Sequence, residues 1–354
     1  MRIGVLTSGG DSPGMNAAVR TVTVTGLLRG HEVIGIQRGY EGLLEGDVAS
    51  LDVAAVEGIT RLGGTVLGSA RSAEFMTPDG QAKAKERIRL AGLDALIVVG
   101  GNGSLTGAHA LAGSPYPPCR IVGLPASIDN DIGHTALSIG VDTAVNTIVE
   151  ACDRISDTAR AHGRAFIIEV MGRRCGFLAM RAGVAAEATA ILYGEQQLSE
   201  DELVERLRPV LKKAFAAGSG RRRALIVKSE SVEVPTARLA ARLGEHLKVD
   251  APGVDLRETI LGHVVRGGSP SALDRLIAQR LAFGAVFACE QAMTDVMLGW
   301  EPPGAPGHET ADPSVRAVPL ADVLEETARL LDGTSPVVKK RVELMRQAQD
   351  LLAI

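Results

Sequence analysis

Two glycine-flanked turns and a pair of closely spaced acids are the residues of this 354-residue chain whose types and spacing could do chemistry. Gly9 and Gly10 follow the apolar run IGVLT; Gly100, Gly101, Asn102, Gly103 and Ser104 follow ALIVV. Glycine permits positive φ and close backbone approach, and amides at a helix start point at an anion with the helix dipole behind them. Two such turns can hold one polyphosphate between them. Asp129 and Asp131, in IDND, are spaced so that one carboxylate takes a hydroxyl proton while the other handles a metal or a neighbouring cation. The same spacing also suits an ordinary turn with Asx hydrogen bonds. Arg71, Arg164, Arg173, Arg257 and Arg266 stand at the edges of apolar runs, where guanidinium forks can clamp phosphate, although each alone also reads as a surface charge. His263 lies inside ILGHVV, the usual setting of a core histidine, yet Arg266 and two glycines follow it and suit an anion pocket.

Two common nucleotide motifs are missing. GxxxxGK[ST] is absent, which excludes a P-loop enzyme. Gly101, Gly103 and Gly107 give GxGxxxG, one residue too long for the dinucleotide fingerprint, and PCRIVGLPAS further on holds no acid for a ribose hydroxyl.

The elements that must position these residues are short branched-aliphatic runs alternating with helical patterns: IGVLT, EVIGI, ALIVVG, RIVGL, AFIIEV, AILY, ALIVK and TILGHVV. Strands apolar on both faces and separated by helix-length segments imply an α/β chain with mostly parallel sheets covered by helices. Ligands in such sheets sit beyond the strands' carboxyl ends. SGGDSPG, GGNGS, PASIDND, MGRRCG and KSES all fall there. The pattern from Gly140 to His162 predicts a long helix, and a boundary is expected near residue 140. Gly299 to Pro313, rich in Pro and Gly, reads as a surface crossing, followed by two amphipathic helices, ADVLEETARLL and VVKKRVELMRQAQDLL.

A net charge of −4 and the lack of a basic stripe interleaved with aromatics point away from nucleic acid and membrane surfaces. Arg221, Arg222 and Arg223 form the one basic run and read as a solvated loop. The four cysteines lack CxxC or His spacing, so neither zinc nor a disulfide framework is expected, and a cytoplasmic setting fits.

SGGDSPGMNAAVR, GGTVLGSAR, GGNGS, PASIDND, EVMGRRCG, KSE and LGHVVRGGSP occur in that order, and together they resemble the bacterial, glycolytic type of the 6-phosphofructokinase family, to about residue 295. The resemblance implies two Rossmann-like three-layer domains with a cleft between them: residues 1–140 plus about 265–314 for the phosphoryl donor, and 141–264 plus about 315–354 for the sugar phosphate. It implies phosphoryl transfer to the 1-hydroxyl of fructose 6-phosphate, with Asp129 as base and Ser127 and Asp131 beside it. Gly10, Tyr40, Arg71, Gly101, Asn102, Gly103, Ser104 and Gly107 would line the donor side, Arg71 also reaching the transferred group. Met171, Gly172, Arg173 and Glu230 would hold the fructose moiety. Arg164, Arg257, His263 and Arg266 would grip its 6-phosphate, Arg164 and Arg257 from a neighbouring subunit, so that a homotetramer, or at least a dimer, is implied.

The departures from the family pattern carry their own expectations. Pyrophosphate-using members usually have Asp in place of Gly103 and Lys in place of Ala126; their absence favours ATP. Asn102 replaces an Asp close to magnesium, so Mg2+, still expected beside Asp129, should bind more weakly. Ser127 replaces Thr and keeps the hydroxyl. Of the basic effector-site residues only Arg20 and the 221–223 run remain, with Val24, Val53 and Ser156 elsewhere, so little response to ADP or phosphoenolpyruvate is expected. The alternatives are pyrophosphate as donor, sedoheptulose 7-phosphate as acceptor, and a catalytically weakened regulatory paralogue. NAD kinases share a GGDGT-like turn but would not be expected to carry MGRRCG or HVVRGGSP.

Overall fold

A computed structural model describes residues 1–113, 117–217, 222–301 and 307–352. Arg221 of the basic run lies outside the described residues. The chain divides into two compact units, Met1–Thr143 with Arg266–Arg329 and Ala144–Val265 with Leu330–Ile354.

The first unit contains β1 (Arg2–Ser8), α1 (Met15–Leu28), β2 (Glu32–Ile36), α2 (Gly39–Glu45), β3 (Val48–Ser50), α3 (Pro78–Leu90), β4 (Ala95–Gly100), α4 (Asn102–Ala112) and β5 (Arg120–Pro125). Helix α5 (Val141–His162) leads into the second unit, which holds β6 (Ala165–Val170), α6 (Phe177–Ala185), β7 (Ala190–Leu192), α7 (Glu200–Ala214), β8 (Ala224–Ser229), α8 (Thr236–Asp250) and β9 (Leu256–Ile260). The chain then returns to the first unit through α9 (Ala272–Glu290), β10 (Val296–Trp300), β11 (His308–Glu309), β12 (Val315–Pro319) and α10 (Leu320–Leu331). It ends in the second with α11 (Pro336–Leu352).

The first sheet has the order β11-β12-β10-β5-β4-β1-β2-β3, with β10, β5, β4, β1 and β2 parallel and the outer pairings antiparallel. The apolar run of β4 explains why its sequence lacks alternation. Ile97 and Val99 join a cluster with Val19, Val22, Leu281 and Ala285 of α1 and α9, whereas Leu96 and Val98 join another with Leu43, Ile88, Leu105 and Leu111. Both faces are buried, and each such aliphatic side chain removed from water contributes about 1.5–3 kcal/mol. The second sheet, β7-β8-β6-β9, is parallel throughout, and its Ile167 and Ile226 pack against Leu207, Leu211, Leu239 and Leu243 of α7 and α8.

Two expectations need correction. TILGHVV is not one strand: β9 stops at Ile260, Gly262 turns into the left-handed region at φ 52°, and Gly262–Arg266 forms a 3-10 turn. The last crossing falls between Arg329 and Leu330, beyond the expected one near 314, because β12 pairs with β10 and α10 buries Leu320 and Val323 in the first unit's core. No helix among the described residues is long and apolar enough to cross a membrane.

Candidate active site

In the first sheet, Ser8 is in register with Gly100, and Gly100 with Pro125. The residues that follow these three strand ends are therefore level across neighbouring strands, within roughly 10 Å at the usual inter-strand spacing. At the end of β1, Gly9 has φ 87° and its carbonyl accepts from the Ser69 hydroxyl at 2.5 Å. At the end of β4 the chain passes directly into α4. Ser104 N and Leu105 N bond back to Gly101 O, and no side chain caps the helix. A Cβ at Gly103 would meet nothing within 4 Å, whereas one at Gly100 would lie 2.5 Å from Ser8 O. The open N-terminus of α4 thus offers backbone amides and dipole to an anion.

After β5, buried Ile128 and Ile132 anchor the acidic loop. Asn130, at φ 51°, donates to Ala136 O at 3.1 Å and accepts from Ser138 N at 2.9 Å. Asp131 accepts the Ser127 hydroxyl at 2.8 Å; Asp129 is 1% exposed. Asn130 thus ties the loop to backbone six and eight residues further on, a bridge across the loop and not a local Asx turn.

Arg71 is exposed, and among the described residues it makes no hydrogen bond or ion pair. The segment leading to it is pinned by buried Asn16, which donates to Leu62 O and Gly63 O and accepts from Val66 N at 2.7 Å. Arg266 lies against the β1 turn: its Nη1 donates to Asp11 O at 3.3 Å, and a Cβ on Gly10 would come within 2.9 Å of it.

Tyr40 and Gly107 do not present the donor surface that the sequence suggested. Tyr40 is buried, stacks on Phe75 at 3.9 Å between centroids and donates its hydroxyl to Ser104 O at 2.7 Å. A Cβ at Gly107 would fall 2.7 Å from Phe75 and 2.9 Å from Tyr40. Both residues seat α4 from behind.

In the second unit the turn after β6 is held by Glu230, whose Oε1 accepts Gly172 N at 2.9 Å and Arg173 N at 2.6 Å. Gly172 has φ 149° and Arg173 φ 51°; a Cβ on Gly172 would lie 2.4 Å from Cys175 O. Met171 is half-buried and Arg173 exposed. Beneath the turn, Lys228 Nζ, 1% exposed, donates to Glu169 Oε2 at 2.9 Å, and Thr236 donates to the same oxygen. Burial acts to raise the Glu169 pKa, but the Thr236 hydrogen bond and Lys228 together hold it below its ordinary value. This supporting pair has a legible trace in the sequence: a lysine inside the apolar run ALIVK demands a counter-charge.

The Phosphofructokinase family model matches residues 2–289. This chain belongs to the phosphofructokinase family. An ATP-dependent 6-phosphofructokinase of Natranaerobius thermophilus is 43% identical over 298 residues, 84% of this chain and 89% of that protein. ATP-dependent 6-phosphofructokinase 1 of Thermus thermophilus is 44% identical over 299 residues, again 84% and 89%. Among solved structures, phosphofructokinase from Saccharomyces cerevisiae superposes with TM-score 0.81 at 33% identity, covering all of this chain and 48% of the yeast chain, so that this chain spans about half its length.

For a phosphofructokinase, the placing of the remaining arginines is informative. Arg164 immediately precedes β6, and Arg257 is paired in register with Phe166 near the start of β9. Arg173 and Glu230 follow the opposite ends of β6 and β8, and His263, exposed rather than in the core, follows β9. A six-residue strand spans about 20 Å. The two arginines thus stand at the far edge of the second sheet from the Gly172 turn. Both converge on Asp255, Arg257 at 2.6 Å and Arg164 at 3.7 Å.

Proposed function

We propose that this chain transfers the γ-phosphoryl group of ATP to the 1-hydroxyl of fructose 6-phosphate, giving fructose 1,6-bisphosphate. The observation that carries the reading is the level ending of β1, β4 and β5, which sets the open N-terminus of α4 beside the acidic loop on one sheet edge. Amides of the β1 and β4 turns hold donor phosphates. The free space in front of Gly103 accommodates an α-phosphate. Asp129 takes the proton of the sugar hydroxyl, with Ser127 and Asp131 fixing its loop, and Arg71 offsets charge on the transferred group. Arg173 and Glu230 hold the sugar.

The donor set suits Mg2+, which is commonly bound by one or two carboxylates together with substrate phosphates: Asp129 and the Asn102 amide oxygen would be the ligands this chain supplies. The bound ion would neutralise phosphate charge. Restoring Asp at 102 should lower the Mg2+ concentration for half-maximal rate about threefold to tenfold, as a carboxylate replaces a neutral amide. An unchanged Mg2+ titration would show that position 102 does not attend the metal.

Because Arg164 and Arg257 lie at the far edge of their own sheet, they serve a neighbouring chain's 6-phosphate site, and the working enzyme is a homo-oligomer with shared sites. R164S and R173S should each be severely impaired alone. Refolded together, they should recover about a quarter of wild-type activity, the fraction of sites drawing an intact half from each partner. No recovery would place both arginines in one chain's site.

The decisive assay is a matrix of ATP and pyrophosphate against fructose 6-phosphate and sedoheptulose 7-phosphate. ATP with fructose 6-phosphate should give the highest kcat/KM. A higher value with pyrophosphate, or with the heptulose, overturns the donor or acceptor assignment. Binding without turnover in all four pairings would instead establish a regulatory paralogue.

A further inference from the structure

The family match ends at residue 289, whereas α11 begins at Pro336. Val338 and Met345 of α11 are buried, and Arg341 falls on the same stripe, three residues after the first and four before the second. Its guanidinium is carried inward with them. It lies 4.7 Å from the centre of the Phe177 ring, with Nη1 3.9 Å from Cys175 Sγ. Burial pushes its pKa below the usual arginine value, while Cys175 and Glu195 act in the opposite sense. Long cationic side chains ordinarily keep their heads in water, so this one is held by specific partners.

Cys175 and Phe177 belong to one short segment, the turn that follows β6 and the start of α6, and Glu195, from the turn Gly194–Gln196, is tied to it. Cys175 N closes the turn onto Gly172 O at 2.8 Å, Gly176 N donates to Glu195 Oε1 at 2.8 Å, and Phe177 opens α6. The same turn carries Arg173 and is gripped at its Gly172 and Arg173 amides by Glu230. A cavity of about 740 Å³ is lined by Arg173 and Glu230 together with Val338, Lys339 and Arg346 of α11. The C-terminal helix therefore walls the space in front of the turn and braces the turn through Arg341.

We propose that Arg341 is a positioning residue for the sugar-phosphate acceptor, so that α11 sets the affinity for that substrate. The inference rests on the acceptor role assigned above to Arg173 and Glu230. Gly172 and Arg173 both occupy left-handed backbone conformations, which persist only where surrounding contacts over-determine them. Without the guanidinium, the ring of Phe177 and the charge of Glu195 lose a partner and the turn relaxes. The amides on Glu230 shift with it. Asp129 lies in the other unit, so the expected loss is in acceptor binding and not in the transfer step.

The test uses the full-length protein with R341M, R341K and, as a control, K340M, which removes an equal charge from an exposed position on the same helix. R341M should raise KM for fructose 6-phosphate about tenfold while kcat and KM for ATP stay within about twofold, the pattern of a lost binding interaction. R341K keeps the charge without the planar stack and should fall between R341M and wild type; K340M should match wild type. An R341M whose fructose 6-phosphate KM equals that of K340M, whatever happens to its Tm, overturns the proposal, as does an equal rise in KM for ATP. If R341M does not fold, R341K decides, and an unchanged KM there is equally fatal. Failure of the wild-type chain to phosphorylate fructose 6-phosphate would show before any variant is compared, and would count against the function and not against the brace.

Discussion

Asp129→Asn should lower kcat about a thousandfold, within the range expected when a general base is removed, with both KM values within a few-fold of wild type. Asparagine has nearly the same shape and cannot take the proton. The loop should persist because its geometry comes from elsewhere: Asn130 bonds Ala136 and Ser138, Ser127 bonds Asp131, and Ile128 and Ile132 are buried. Asparagine fills the space of a carboxylate that is 1% exposed, so the variant should remain folded. Loss of rate without loss of the fold separates the base from a structural acid. Steady-state kinetics beside thermal unfolding make the comparison, and a kcat within tenfold of wild type would remove Asp129 from the chemistry.

Lys228→Met should be the most damaging of the stability variants. Lys228 is opposite Glu169 in the β6–β8 register, and each lies two residues before a member of the acceptor site, Glu230 and Met171. The pair is fully inside the fold on the lysine side. Removing one partner of such a pair typically costs about 3–5 kcal/mol because the other charge is stranded. A K228M chain should therefore show a clearly lowered denaturation midpoint in guanidinium at neutral pH. The sign of its pH dependence is also fixed. The Glu169 carboxyl is held below its ordinary value of 4.5, so its contribution is present above that pH and is lost as pH falls through the depressed folded value. The difference between wild type and K228M should accordingly be largest near pH 7 and shrink below about pH 4.5. A gap independent of pH would mean the lysine acts through packing alone, and one that widens on acidification would overturn the ion-pair account.

Much of the frame was legible because parallel strands buried on both faces announce themselves as unbroken aliphatic runs. β1, β4, β5, β6 and β8 all coincide with such runs, and the helices from Val141 and Pro336 followed from their periodicity. Weaker signals misled where one residue decides conformation: ILGHVV has a strand's composition, but Gly262 at positive φ ends the extended chain. VMLGW, whose end overlaps the Pro- and Gly-rich stretch from Gly299, and VRAVP were not read as β10 and β12, and the final crossing was misplaced with them. Among the candidate site residues, glycine spacing located the turns. Spacing could not tell Gly103, which faces open space, from Gly107, which makes room for Tyr40 and Phe75. Arg341 was missed, although a charged residue on the apolar stripe of an amphipathic helix is a visible anomaly. Asp255 was missed with less excuse: an acid two residues before Arg257 had to be accounted for.

Two of the three crossings between the units, at Thr143–Ala144 and Arg329–Leu330, lie inside α5 and α10, not in loops. The buried carboxylate of Asp274 fastens the first turn of α5, accepting Gly140 N at 2.9 Å and Thr143 N at 2.7 Å. Proteases need an unfurled stretch of backbone, and hydrogen-bonded helix withholds it at both places. Limited digestion should thus nick the protein elsewhere and fail to release either half intact. Any attempt to express one half by itself would have to sever a helix and leave its raw end in water.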